Sequence, residues 1–173
     1  MKKYWAGLAL FLVFTAGNVR AEMPADWKPP KQSAELQTMK GMAGEWTGQS
    51  QDHGEARPMT VRYEVTSGGS AVVETLDPGT SHEMVSIYHD KAGKLSMTHY
   101  CMLGNQPELE LKKASDDELE FDLSAESQAQ LGGQLHMHSL KLEMSRGTLT
   151  QSWTAQGQDG KMLEPTVFKL RKT

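Results

Sequence analysis

Residues 59–77 run Met59-Thr60-Val61-Arg62-Tyr63-Glu64-Val65-Thr66-Ser67-Gly68-Gly69-Ser70-Ala71-Val72-Val73-Glu74-Thr75-Leu76-Asp77. Val61, Tyr63 and Val65 alternate with polar residues, the period of a strand with one buried face. The Gly-Gly pair supplies the left-handed backbone that a tight hairpin turn demands. A two-residue turn around Gly68 and Gly69 sets Tyr63 opposite Glu74, Val65 opposite Val72 and Val61 opposite Leu76. Glu74 is thereby placed on the same face as apolar neighbours, where a carboxylate needs hydrogen-bond partners.

The same texture extends in both directions. Ten candidate strands cover 45–51, 58–66, 70–77, 82–90, 94–102, 108–114, 119–125, 134–145, 148–155 and 165–171, separated by short segments rich in Gly, Asn, Asp and Pro. Short links join antiparallel neighbours, so the expected topology is an up-and-down meander. Ten such strands leave two bare edges unless the sheet closes, which predicts an all-β barrel. Ahead of it, Ser33 offers an N-cap and Leu36, Met39 and Lys40 stand at helical spacing before Gly41 and Gly44, predicting one short helix. The single barrel domain is expected over 33–173.

A second turn, Asp90-Lys91-Ala92-Gly93-Lys94, reads as a type I turn with a glycine bulge. That register pairs Asp90 with Lys94, Ile87 with Met97, Val85 with His99 and Glu83 with Cys101. It predicts an inward stripe of Val85, Ile87, Leu95 and Met97, shared with Glu83, His89, His99 and Cys101. In the eighth strand, parity with Leu140, Leu142 and Met144 places His136 and His138 inward.

Gly44-Glu45-Trp46 at the first strand and Phe168-Lys169-Leu170-Arg171 in the last resemble the calycin superfamily of lipocalins, fatty-acid-binding proteins and nitrobindins. The resemblance implies a tryptophan plugging the barrel floor and an arginine of the final strand packing over it. His82-Glu83-Met84-Val85, Thr98-His99-Tyr100-Cys101 and Gly104-Asn105-Gln106-Pro107 are similar to a family of exported bacterial lipocalin-like proteins that carries no assigned activity. The chain departs from nitrobindins near the last strands, where Trp153, Thr154 and Phe168 stand and no equivalent of the haem-ligating histidine is found. Haem is therefore not an expected cofactor.

Lys2 and Lys3 precede an apolar run from Tyr4 to Ala16, and Val19-Arg20-Ala21 fits a signal-peptidase site. The expectation is a signal peptide over 1–21, an extended Pro-rich lead-in over 22–32 and a periplasmic or secreted mature protein. The apolar run of about 13 residues is short of the roughly 20 that span a bilayer, so stable membrane insertion is not expected. Removing Lys2, Lys3 and Arg20 leaves 15 basic against 22 acidic side chains, a net charge of −7. Nucleic acid is an unexpected partner for such a surface.

Three functions remain open on the sequence. The first is binding of a small, largely apolar ligand, with Tyr63, Glu74, Glu83, His99 and Cys101 lining the polar end of the lumen. The second is copper or zinc binding through His99, Cys101, His136 and His138, in a mature chain carrying ten methionines. The third is catalysis by a Cys101–His99 pair, for which i and i+2 positions on a strand give only coarse placement. His53 reads as part of a solvated turn, and no phosphate-cradling loop, nucleophile elbow or His-Glu-x-x-His helix is present.

Overall fold

A computed structural model describes residues 26, 28, 30–52 and 54–173. The expected signal peptide over 1–21 with its cleavage point, most of the expected lead-in over 22–32 and His53 lie outside the described residues. The barrel unit is Lys31–Thr173. Its elements are α1 (Ala34–Gly41), β1 (Gly44–Asp52), β2 (Glu55–Thr66), β3 (Ala71–Leu76), β4 (Met84–Lys91) and β5 (Lys94–Tyr100), followed by β6 (Glu108–Ala114), β7 (Glu118–Leu123), α2 (Ala125–Leu131), β8 (His136–Ser145), β9 (Thr148–Gln156) and β10 (Thr166–Lys172).

Each strand pairs antiparallel with the next, and β1 pairs with β10, so the ten strands form a closed barrel. Closure depends on a close approach at Gly48, where an added Cβ would lie 1.9 Å from the carbonyl oxygen of Lys169. Alternate residues fill the interior, among them Val61, Leu76, Leu95, Met97, Leu109, Leu119, Leu140, Leu142 and Leu149. Tyr63, Tyr88 and Phe121 are the bulkiest fully buried side chains, and the Tyr88 and Phe121 rings meet edge-on with centroids 5.8 Å apart.

Helix α1 starts where the chemistry asks it to. The Ser33 hydroxyl accepts from the Leu36 amide, and the Asp90 carboxylate accepts from both the amide and the hydroxyl of Ser33. That contact ties the helix to the β4–β5 turn, while its buried Leu36 and Met39 face the barrel core. Trp46 is buried beside it and donates its indole N–H to the Met42 carbonyl. The cation over the Trp46 ring is Lys172, with Nζ 5.5 Å from the centroid, and Arg171 is exposed.

The hairpin at Gly68-Gly69 has the expected pairing, Tyr63 with Glu74, Val65 with Val72 and Val61 with Leu76. The next hairpin does not. Lys91 pairs with Lys94, and Ala92 joins Gly93 at positive φ, 52° and 80°, which makes a two-residue turn in place of the bulged one. Alanine rarely takes that conformation, so the sequence pointed to the longer turn. The one-residue difference reverses β4: Ser86 and Tyr88 are buried, whereas Val85, Ile87 and His89 occupy the opposite face. Leu95, Met97 and His99 on β5 remain inward.

Two further corrections concern the second half. Helix α2 was not expected, because seven residues are too few to show a helical period. It is capped by Ser124, whose hydroxyl accepts from the Ser127 amide. A bulge between Met137 and Ser139 also breaks the parity assumed for β8. Beyond the bulge Met137 pairs with Ala155 and shares the face of Trp153, so His136, opposite Gln156, is on the other face.

Candidate functional site

Successive ladder pairs carry one polar line around the inside of the barrel. Tyr63 pairs with Glu74, Glu74 with Ser86 and Ser86 with His99, on β2, β3, β4 and β5. None of the four exceeds 1% exposure. From the opposite wall, Gln151 and Trp153 of β9 reach the same belt.

Glu74 is the acceptor on which the belt converges. Its Oε1 accepts from the Tyr63 hydroxyl at 2.6 Å and from Gln151 Nε2 at 2.7 Å, and its Oε2 accepts from the Tyr88 hydroxyl at 3.0 Å. Ser86, its ladder neighbour, adds to the polar surroundings of the carboxylate. Gln151 is held in turn by the Trp153 indole N–H, which donates to Oε1 at 2.9 Å. A carboxylate offers about four lone-pair positions, and here three donors of the protein's own occupy it. Burial raises the Glu74 pKa above the ordinary carboxylate value, and these hydrogen bonds oppose that rise. Burial first, and then the Glu74 charge, push Tyr63 and Tyr88 well above the usual phenol range.

The belt ends at His99. Its Nδ1 lies 3.0 Å from Ser86 Oγ, and its ring packs on Trp153 with centroids 4.8 Å apart. Burial lowers its pKa to about 4, so the ring is neutral across the physiological range. The tautomer of His99 decides whether Ser86 donates to Nδ1 or accepts from it, and with that whether Nε2 is a lone pair or an N–H. That Nε2 is buried and has no hydrogen-bond partner.

No family model matches the chain, and no curated protein matches it either. What bears on function is therefore the geometry of the barrel.

The end of the barrel away from α1 carries the β1–β2, β3–β4, β5–β6, β7–β8 and β9–β10 connections, as an up-and-down order requires. Cross-links join two of them. Cys101 donates its amide to the Asn105 carbonyl, Asn105 Nδ2 donates to the Leu135 carbonyl at 2.9 Å, and His136 follows directly. Helix α2 is fastened to β6 at Glu108, whose carbonyl accepts from the Ser124 amide and whose amide donates to Ser127 Oγ at 2.9 Å. Among the described residues, three further buried atoms without partners collect here, Asn105 Oδ1, His136 Nε2 and His138 Nδ1. Gly132, at positive φ, ends the helix of this cap.

The sequence-derived residues divide accordingly. Tyr63, Glu74 and His99 are brought together in the belt. Cys101 is buried in the turn two residues beyond His99, and burial pushes its thiol pKa up, the opposite of an activated nucleophile. Glu83 is a correction: it lies outside the buried core, in the β3–β4 connection, and accepts from the Gly79 amide at 2.5 Å, because the shifted β4 register removes it from the face of Cys101. His136 and His138 have ring centroids 5.9 Å apart near the cap, with His138 only half-buried. Among the described residues, no three His, Cys, Asp or Glu side chains converge as a metal site would need.

Sequence reasoning missed Ser86, Tyr88, Gln151 and Trp153. The first two were lost with the β4 register. The last two carried a signal: Leu149, Gln151 and Trp153 share one parity of a strand, which puts a glutamine beside a tryptophan on an apolar face.

Proposed function

We propose that this chain is an extracytoplasmic, calycin-like binding protein that holds one small, largely apolar molecule beneath the cap, with His99 as its polar anchor. The observation that carries this reading is the bare Nε2 of His99, in a belt whose other polar groups are partnered. An unsatisfied buried polar atom costs roughly 1–3 kcal/mol, and a hydrogen bond from or to a ligand removes that cost. Glu74 and Tyr63 position the anchor and have no free capacity of their own. Tyr63, Tyr88 and Phe121 fill the middle of the barrel, which directs the ligand to the capped end.

The rim supports an apolar guest. Tyr100, Met102 and Leu103 on one side and Met162 and Leu163 on the β9–β10 connection are exposed large apolar side chains at this end. Export is supported by the basic, apolar and small-residue succession of residues 1–21.

The test is native mass spectrometry of the protein secreted from its full chain, combined with titration by Nile red, a neutral apolar dye. The expected results are a mature chain beginning at Glu22, a retained mass that leaves on denaturation, and saturable one-to-one dye binding with blue-shifted emission. A mature protein that carries no extra mass and shows no saturable dye binding overturns the reading.

A further inference from the structure

Among the described residues, two of the buried side-chain atoms without partners are ring nitrogens of near neighbours on β8, His136 Nε2 and His138 Nδ1. The His136 side chain is buried, and its Nδ1 lies 2.7 Å from the Gln134 carbonyl. A carbonyl can only accept, so Nδ1 carries the proton and Nε2 of the neutral ring is a lone pair. A histidine fixed through one nitrogen by a backbone carbonyl, with the other nitrogen free, has the orientation of a metal ligand.

The backbone brings the second ring to the first. The bulge between Met137 and Ser139 leaves His138 outside the ladder, and the two rings stand with centroids 5.9 Å apart and planes at 43°. Two imidazoles sharing one metal, with bonds of about 2.0 Å and each nitrogen roughly 1.2 Å from its ring centre, have centroids about 5–6 Å apart as the angle at the metal opens from tetrahedral toward linear. The observed spacing belongs to the open end of that range. His136 is on the side of β8 away from Trp153, so the pair is separate from the lumen and from His99. An ion takes the room of about one water and needs no larger cavity.

The donor set selects the ion. Structural zinc takes four ligands and Cu(II) a tetragonal set of N and O donors, whereas no third His, Cys, Asp or Glu joins the pair among the described residues. Met137, between the two histidines, shares the face of Trp153, which turns its thioether away. Cu(I), a closed-shell monovalent ion, is satisfied by two imidazoles in an open arrangement. Asp122 on β7, opposite Ser139, adds a negative charge in range of His138, which favours a cation.

We propose that His136 Nε2 and His138 Nδ1 bind one Cu(I) ion in a two-coordinate site at the start of β8. The proposal goes beyond the ligand-binding role and does not depend on it.

Anaerobic titration of the mature exported protein with Cu(I) against bicinchoninate, and separately with Zn(II), tests it. One Cu(I) per chain is expected to be held against the chelator, with a copper X-ray absorption spectrum showing two nitrogen neighbours and no sulfur. At one equivalent the 15N resonances of His136 Nε2 and His138 Nδ1 shift together, a readout on the wild-type protein that no folding defect of a variant can mimic. His138→Gln is expected to weaken Cu(I) binding more than about a hundredfold, beyond the cost of losing an outer-sphere partner. His82→Gln, at an exposed histidine of the β3–β4 connection, leaves it unchanged. Surrender of all Cu(I) to the chelator, sulfur in the copper shell, unmoved ring resonances or full binding by His138→Gln overturns the site. Zn(II) shifting the same resonances at lower concentration than Cu(I) overturns the choice of ion. Nile red binding has no bearing on any of these outcomes, so the two proposals fail separately.

Discussion

Ser86 Oγ lies 3.0 Å from His99 Nδ1 and Ser86 pairs across the ladder with Glu74, so one serine stands between the only fully buried carboxylate described and a buried imidazole. Register places all three: Glu74 pairs with Ser86 and Ser86 with His99 on three adjacent strands. The Tyr63, Tyr88 and Gln151 protons point toward Glu74, and the unpartnered ring nitrogen, His99 Nε2, stands at the far end of the belt.

The tautomer of His99 is directly measurable. With the Ser86 proton turned toward the Glu74 side, the expected state at pH 7 is Nδ1–H with Nε2 unprotonated, seen as the characteristic separation of the two ring 15N shifts. Ser86→Ala removes a partner from both neighbours and is expected to destabilise the fold by about 1–3 kcal/mol in urea denaturation, with the ring nitrogens drifting toward a tautomer mixture. An Nε2–H tautomer in the wild-type protein contradicts a belt whose protons all point toward Glu74.

Acid sensitivity follows from the same ring. The folded state holds His99 at about 4, below the ordinary value of 6.5, by burial. Between these values the unfolded chain takes up a proton that the folded one refuses. The His99 contribution is therefore intact above pH 6.5 and lost as pH falls through 4, by about 3 kcal/mol. His99→Gln is expected to flatten this part of the stability profile between pH 6.5 and 4, and an unchanged slope would show that His99 titrates normally in the fold.

Glu74 has the opposite sign. Its folded pKa is raised, chiefly by burial, so the folded protein holds the proton more tightly than the unfolded chain. That contribution is present below pH 4.5 and is lost as pH rises through the folded value. Glu74→Gln, which keeps the shape and removes the ionisation, is thus expected to be most destabilising near pH 4 and less so toward pH 7. Glu74→Leu strands the Tyr63 and Tyr88 hydroxyls and the Gln151 amide, and should cost about 3–5 kcal/mol. Denaturation series at both pH values check the ordering, and a Glu74→Gln penalty that grows with pH refutes it.

The barrel was legible because alternation and short turns repeat along most of the chain, and local pairing of antiparallel neighbours then leaves closure as the way to hide both edges. The Tyr63–Glu74 pair was legible for the same reason, since two glycines constrain that turn. The rest of the belt was obscured by a single backbone choice: Ala92 takes a conformation usually left to glycine, and one residue of slip moves Ser86 and Tyr88 inside. The bulge at Met137/Ser139 similarly cancels a parity argument that is sound only for an uninterrupted ladder. The cap depends on contacts such as Asn105 to Leu135, 30 residues apart, which no local pattern encodes.

Cys101 is expected to behave as an inert thiol. It is buried, and that burial raises its pKa. Iodoacetamide at pH 7 should alkylate it at least about tenfold more slowly in the folded protein than in urea, as reactivity follows exposed thiolate. Faster reaction in the folded state would restore a nucleophilic role.

The seam between β1 and β10 supplies the most demanding test of the fold. Gly48 pairs with Met59 on one side and Leu170 on the other, and its φ is ordinary, so its need for glycine is one of space. A Cβ there would lie 1.9 Å from the Lys169 oxygen and 2.9 Å from the Lys169 carbonyl carbon, backbone atoms that cannot rotate away. Gly48→Ala must therefore part the strands that close the barrel, with an expected loss of about 3 kcal/mol or more. Gly41→Ala, at the end of α1 where nothing lies within 4 Å of the added carbon, provides the control and should be neutral or stabilising by up to about 1 kcal/mol. Urea midpoints for the two variants give the comparison, and a Gly48→Ala protein as stable as wild type would mean that the two edge strands do not meet as described.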